Sequence, residues 1–145
     1  MTKSRLVIFG LDGVPYEMLS DLAQKGVMPH TQSLIQAGFV SPMNSSVPEI
    51  SSVAWSSLIT GENPGRHGVF GFLDLQPDSM NLFFPQYTTL KAKPFWETTV
   101  ARSVILNVPS TYPVRPMNGV HISGFVSIDM EKSVHPRSLL NEVKE

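Results

Sequence analysis

The sequence predicts an α/β protein with a mostly parallel sheet flanked by helices. Two short apolar runs, at residues 6–9 and 103–106, contain the β-branched residues typical of strands that are buried on both faces. Segments with the spacing of amphipathic helices lie between these runs. Strands that alternate with helices in this way are typical of a parallel sheet.

The first part of the chain predicts a strand followed by two helices. The strand ends at the turn GLDG, residues 10–13, and Pro15 then opens a helix that continues to about residue 25. A second helix begins at Pro29 and ends at Gly38, because glycine is favoured just beyond the end of a helix. Residues 39–40 are expected to begin another strand.

The stretch SSVAWSSLIT, residues 51–60, predicts a third helix that ends at Gly61. Its spacing predicts an apolar stripe that faces the interior, made of Ala54, Trp55, Leu58 and Ile59. Three hydroxyl residues are then expected near the opposite face, namely Ser52, Ser56 and Thr60.

The remainder of the chain predicts loops, strands and short helices. Glycine and proline interrupt residues 61–90, where residues 82–84 are expected to form an edge strand. Pro94 opens a short helix, and strands are expected at residues 103–106 and 120–123. Residues 138–144 begin a last helix. The length of 145 residues predicts a single domain.

Composition excludes several functional classes. The formal net charge of −1 gives no electrostatic reason to expect a nucleic acid or an anionic membrane as a partner. The absence of cysteine excludes thiolate zinc sites and cysteine nucleophiles. The N-terminal apolar run stops at Asp12, too soon for a secretory signal, and no later run is long enough to span a bilayer. We therefore expect a cytoplasmic protein.

Asp12 is the first candidate site residue. It follows directly on the first predicted strand, and ligands of open parallel sheets bind beyond the carboxyl ends of the strands. A carboxylate at that position can hold a cation or a substrate. The alternative role is structural, because Asp-Gly is a common turn.

Ser51, at the start of the third predicted helix, has two interpretations. A serine at this position commonly caps the helix through its side-chain oxygen. The unpaired amides and the positive end of the helix dipole also favour an anion, such as a phosphoryl group on the serine oxygen. A serine hydroxyl is a poor nucleophile without a base or a metal, so capping is the expected role when the helix is considered alone.

The histidines give no metal site by spacing. The motif HExxH is absent, and helical metal-ligand spacing does not occur among His30, His67, His121 and His135. His67, in the sequence Arg-His-Gly, is expected to orient a loop by hydrogen bonding rather than to catalyse a reaction. The GxSxG and Walker A motifs are absent as well.

Several motifs occur together in one order along the chain. They are VIFGLDG at residues 7–13, P-x-x-S-x-x-A-W at 48–55, Thr60-Gly61, His67-Gly68, KPFW at 93–96 and NVPSTYP at 107–113. This series resembles the N-terminal part of the type I phosphodiesterase/nucleotide pyrophosphatase family, within the alkaline phosphatase superfamily. The resemblance extends over nearly the whole chain and implies the N-terminal part of an alkaline phosphatase-like fold.

The resemblance implies roles for two residues. Asp12 matches the aspartate that follows the first strand and binds metal in this family. Ser51 matches the hydroxyl residue that is the nucleophile and also contacts metal. The implied reaction is in-line attack of the serine oxygen on phosphorus, with two divalent ions, usually zinc, that activate the serine. The metal would supply the activation that Ser51 lacks by itself.

The sequence also departs from the family pattern. Phe72 stands where nucleotide pyrophosphatases carry an asparagine that holds a phosphate oxygen. The expected substrate is therefore a phosphate mono- or diester or another nucleotide-like small molecule, without a preference for pyrophosphates. The segment SVPEI at residues 46–50 lacks the arginine of the sulfatase pattern, so sulfate esters are not expected.

The family members are longer, and their remaining metal ligands lie in later Asp and His motifs. The resemblance therefore implies that this chain is a truncated, N-terminal portion with an incomplete metal site, inactive by itself. One alternative is a non-catalytic α/β module that kept the scaffold and binds a partner or forms a homo-oligomer. Another is a phosphoryl mutase of the same superfamily.

Overall fold

The computed structural model describes residues 5–144 and divides into two compact units, Met1–Asn44 and Ser45–Glu145. In these described residues no helix combines the length and the apolar character needed to cross a membrane. A single domain over residues 1–145 stays a prediction.

The first unit contains two helices, α1 at Tyr16–Gln24 and α2 at Pro29–Ala37. Both confirm the predicted positions. After α1 the chain reverses through Gly26, whose φ of 74° is readily adopted only by glycine. Pro29 is the first residue of α2. At this position a backbone N–H has no acceptor within the helix, so a proline, which lacks the N–H, is tolerated.

The strands predicted in the first unit do not form, and this part of the prediction is wrong. Residues 6–9 and 39–40 have no strand assignment, and the side chains of Leu6 and Phe9 are 81% and 88% exposed. An apolar run becomes a strand only when a neighbouring segment pairs with its backbone groups. Among residues 5–44 no such partner strand is present.

The second unit begins with α3 at Ser51–Thr60, which has the predicted bounds and ends at Gly61 with a φ of 68°. The predicted orientation is wrong, because Leu58 is 48% exposed. The buried face instead consists of Ser52, Val53, Ser56 and Ile59.

One hydroxyl of this buried face, that of Ser56, bonds to the helix itself, and so does the hydroxyl of the half-buried Thr60. Ser56 Oγ donates to the carbonyl oxygen of Ser52 at 2.7 Å, and Thr60 Oγ1 donates to that of Ser56 at 2.6 Å. A buried polar group that is already hydrogen-bonded does not carry the full cost of leaving water. The small serine side chains also allow close approach of neighbouring segments.

Short elements follow α3. Helix α4 spans Pro64–His67, and strands β1 at Asp74–Leu75 and β2 at Leu82–Phe83 pair in antiparallel fashion. A 3₁₀ turn at Phe95–Glu97 follows Pro94. The predicted edge strand and the predicted short helix after Pro94 are thereby confirmed.

A three-stranded sheet follows, with β3 at Ser103–Val108, β4 at Gly119–Ser123 and β5 at Val134–His135 in the order β3-β4-β5. Strands β3 and β4 are parallel, whereas β4 and β5 are antiparallel. The two predicted strands are confirmed, and the fold is mixed α/β. A mostly parallel sheet is not present in residues 5–144, where the sheets contain one parallel pair and two antiparallel pairs.

Strand β3 is buried on one face only, contrary to the prediction of a strand buried on both. Ile105 is buried, whereas Val104 and Leu106 are 61% and 57% exposed. The chain ends with a 3₁₀ turn at Arg137–Leu139 and helix α5 at Leu140–Val143, which confirms the predicted last helix.

The core of the second unit gathers side chains from α3, the central turns and β3. It consists of Ile59, Val69, Tyr87, Leu90, Trp96 and Ile105. Tyr87 adds a polar network, since its hydroxyl accepts from Trp96 Nε1 at 3.1 Å and donates to Glu97 Oε1 at 2.7 Å. Burial and the bond to Glu97 raise the pKa of Tyr87 far above its ordinary value. The guanidinium of Arg115 lies 4.3 Å from the centre of the Tyr87 ring.

Candidate functional site

Ser51 is the first helical residue of α3 and is half-buried. The N-cap residue is Ile50, with φ −121° and ψ 135°, and an isoleucine side chain cannot accept a hydrogen bond. Ser51 therefore lies inside the helix rather than at the capping position. It is placed in the first turn, where amide groups lack intrahelical acceptors and the dipole favours negative charge.

The adjacent Ser52 is in a different environment. It is 2% exposed, and its Oγ has no hydrogen-bond partner. Because a nucleophile must reach a substrate, the more exposed Ser51 is the better candidate of the two. The resemblance to the family motif already pointed to Ser51, and the difference in burial, which the sequence does not give, favours the same choice.

His67 is buried at the end of α4 and connects this short helix to α3. Its Nε2 lies 3.0 Å from Ser57 Oγ on α3, and its Nδ1 accepts a hydrogen bond from the Val69 amide at 3.2 Å. Since Nδ1 accepts, the proton of the neutral ring is on Nε2, which donates to Ser57. The hydrogen bonds agree with the predicted structural role.

The electrostatic environment keeps this imidazole neutral. Burial lowers the pKa of His67 below its ordinary value, and the nearby carboxylate of Glu62 opposes this effect in part. A neutral His67 holds α3 and the loop after α4 in one arrangement. The contact with Ser57 was not predicted, because no local sequence rule relates residues ten positions apart across a turn.

Asp12 lies in the first unit, in an exposed turn with Gly13, whose φ is 68°. The structure thus has the Asp-Gly turn that was the alternative reading of this residue. Ser51 belongs to the second unit. A shared cation between the Asp12 carboxylate and the Ser51 hydroxyl stays a prediction.

A metal centre needs more donors than these two residues. Within residues 5–144, no three or more His, Asp or Glu side chains come together in a way that could hold a metal ion. Asp12 and Ser51 would supply two oxygen ligands, whereas zinc usually takes four ligands. The described residues therefore do not fit a complete zinc site.

Phe72, at the position of the family's phosphate-binding asparagine, has an apolar contact instead. Its ring meets the ring of Phe125 edge to face, with the centroids 6.0 Å apart. A phenyl ring cannot donate a hydrogen bond to a phosphate oxygen. The structure therefore offers no substitute for the asparagine at this position.

Comparison with known families decides the relationship. A family model described as type I phosphodiesterase / nucleotide pyrophosphatase matches residues 6–144. The chain belongs to this family. Searches of curated proteins and of solved structures gave no significant match. For this phosphodiesterase-family chain, the match includes both Asp12 and Ser51 and confirms the resemblance found from the motifs.

Proposed function

We propose that this phosphodiesterase-family chain contributes the serine nucleophile of a metal-dependent hydrolase of phosphate mono- or diesters. The observation that carries the proposal is the position of Ser51, half-buried in the first turn of α3 within a chain that the family model matches over residues 6–144. Amides of the first helical turn can stabilise the charge that develops on a phosphoryl group.

The residues have distinct parts in this proposal. Ser51 Oγ, after giving up its proton to water, attacks phosphorus as the P–O bond to the ester oxygen breaks, and the ester oxygen leaves and takes up a proton. Asp12 would supply a carboxylate ligand to a metal, which would lower the pKa of the serine. His67, through its hydrogen bond to Ser57, holds α3, the helix that begins with Ser51. Asp12 and Ser51 give fewer ligands than zinc takes, so we propose that activity requires further donors and that the chain alone does not turn over substrate.

The identity of the nucleophile is tested in a chain to which further metal-binding side chains have been added. The chain is joined to the segment of a family member that carries the later Asp and His motifs, and hydrolysis of p-nitrophenyl phosphate and bis-p-nitrophenyl phosphate is measured with zinc. Ser51→Ala is expected to lower turnover by a factor of at least about 10³, because serine attack is the only route to the intermediate.

Ser52→Ala is the matched control, since it removes a buried hydroxyl that has no hydrogen-bond partner. It should leave turnover within about a factor of three of the parent. Zinc content of the Ser51→Ala protein should largely survive. Near-normal turnover after loss of Ser51, or loss of turnover only after Ser52→Ala, would place the nucleophile elsewhere.

A zinc titration of the unmodified chain tests the other ligand. At micromolar zinc we expect at most weak binding, and we expect Asp12→Ala to abolish it, because few donors are available. Asp21→Ala is the control, since Asp21 is an aspartate of the same unit that is paired with Lys25 at 2.7 Å. Tight binding that Asp12→Ala does not change would contradict the assignment.

The alternative function is a non-catalytic module that forms a homo-oligomer or binds a partner. Within residues 5–144, β3 is an edge strand of its sheet, and some of its apolar side chains are exposed. An edge strand with exposed apolar side chains favours association with another chain. This alternative requires no metal. The hydrolysis assay with Ser51→Ala distinguishes the two proposals, because turnover that depends on Ser51 is expected only of the hydrolase, and a cytoplasmic location stays a prediction for both.

A further inference from the structure

The second unit contains a cleft whose lining is unusually cationic for this chain. The cleft has a volume of about 630 Å³ and is lined by Thr60, Glu62, Arg66, Lys91, Lys93 and Thr98. Three cations and one carboxylate line the cleft, although the whole chain has a net charge of −1. These residues come from separate segments, so the cationic cleft could not be recognised as a basic run in the sequence.

The single carboxylate does not neutralise the cleft. Glu62 lies 3.7 Å from Arg66, and their side chains are 38% and 73% exposed. An exposed pair at this distance is weak and leaves both groups available. Among the ion pairs of residues 5–144, none involves Lys91 or Lys93.

Lys91 is held in position by its backbone and by its aliphatic stem. Its amide donates to the His67 carbonyl at 3.0 Å. The stem covers Gly68, which has a φ of 78°, and a Cβ added there would lie 2.9 Å from Lys91 Cδ. A stem that is already packed loses less conformational freedom when its ammonium group binds a ligand.

The hydroxyl groups of the cleft already donate elsewhere. Thr60 Oγ1 donates to the Ser56 carbonyl, and Thr98 Oγ1 donates to the Phe95 carbonyl at 2.7 Å. The side-chain donors left for a ligand are therefore the ammonium and guanidinium groups. This arrangement favours a ligand with several acceptor oxygens and at least two negative charges, which describes a phosphate group.

The cationic cleft is distinct from the nucleophile. It lies at the end of α3 that contains Thr60, whereas Ser51 begins the same helix, about 14 Å away at 1.5 Å per residue. The negative end of the helix dipole opposes anion binding here. One carbonyl group at this end of the helix, that of Ser57, already accepts a hydrogen bond from the Gly61 amide at 2.8 Å and is therefore not an unpaired acceptor.

We propose that this cleft is a second, non-catalytic binding site for a phosphate group. The ligand is either free inorganic phosphate or the phosphate of a nucleoside monophosphate. Lys91 and Lys93 supply the main contacts, with Arg66 at the rim. The proposal depends on the geometry of the cleft and not on hydrolysis at Ser51.

The whole chain is titrated with inorganic phosphate and with a nucleoside monophosphate, and chloride keeps the ionic strength constant. Binding is followed by calorimetry and by backbone amide NMR shifts. We expect the largest shifts at the residues that line the cleft. Lys91→Met and Lys93→Met retain the aliphatic stem but remove the charge, and each is expected to weaken phosphate binding about tenfold.

Lys25→Met is the control, because Lys25 is an exposed lysine of the first unit. It should leave phosphate binding unchanged. Tighter binding of the nucleoside monophosphate would identify a nucleotide as the source, and equal affinities would identify free phosphate. Absence of binding, binding unaffected by both cleft lysine variants, or shifts centred on Ser51 would overturn the proposal.

Discussion

Gly119→Ala is expected to destabilise the second unit by about 4 kcal/mol, from backbone strain and steric overlap together. Gly119 opens β4 and is the register partner of Ser103 on the parallel strand β3. Its φ is 143°, which L-residues rarely adopt. A Cβ at this position would also overlap the Ser103 carbonyl oxygen and lie 2.8 Å from its carbonyl carbon.

The measurement is the free energy of unfolding from urea denaturation followed by circular dichroism. Gly61→Ala is the matched control, since Gly61 also has a positive φ, 68°, but no atom lies within 4 Å of an added Cβ. It should cost only about 1–2 kcal/mol, from backbone strain alone. Equal losses in the two variants would mean that β3 and β4 are not paired at this register.

Acidification between pH 6.5 and about pH 4 is expected to destabilise the second unit through His121. This residue is completely buried on β4, and neither ring nitrogen has a hydrogen-bond partner. Burial, together with the neighbouring His135, lowers the pKa of His121 from 6.5 to about 4, and Glu97 opposes the shift. The surroundings are aromatic, with the centres of the Tyr87 and Trp96 rings 5.7 and 6.0 Å away.

The direction of the effect follows from the lowered pKa. Above pH 6.5 the imidazole is neutral in both the folded and the unfolded chain, so the full stability is present. As the pH falls, the unfolded chain takes up the proton first and is favoured. By about pH 4 the decrease in the free energy of unfolding approaches its full size, on the order of 3 kcal/mol.

His121→Phe is expected to remove this loss. The substitution keeps an aromatic ring and eliminates two buried nitrogen atoms without partners, so stability at neutral pH should be equal or higher. Unfolding free energies are compared across the same pH range, with the exposed His30 replaced by glutamine as the control. An unchanged pH dependence in His121→Phe would assign the acid sensitivity to another group.

Local signals in the sequence were sufficient for most element positions. Proline at the start of α2 and glycine after α1 and α3 act over a few residues of backbone, so the predicted helices agree with the structure. The strands predicted in the second unit also formed, and a family model confirms the relationship implied by the motifs.

Local signals failed where a residue depends on partners distant in the chain. Residues 6–9 have the composition of a buried strand, but a strand also requires a pairing neighbour. The buried face of α3 was predicted wrongly in part: Ile59 is buried as expected, but Ser56 is buried as well, because its hydroxyl donates to a carbonyl of the same helix. The periodicity of hydrophobic residues gives no information about hydrogen bonds between a side chain and its own helix.

By itself the sequence determined the family, the helix ends, and Asp12 and Ser51 as the residues to test. Only the tertiary structure decided that Ser52 is buried beside a half-exposed Ser51, that His121 lies opposite His135, and that cations from two separate segments share one cleft. The physical reason is the distance along the chain over which each interaction acts. Backbone propensities act between near neighbours, whereas burial, the pKa of a buried group and local charge density depend on residues that meet only after folding.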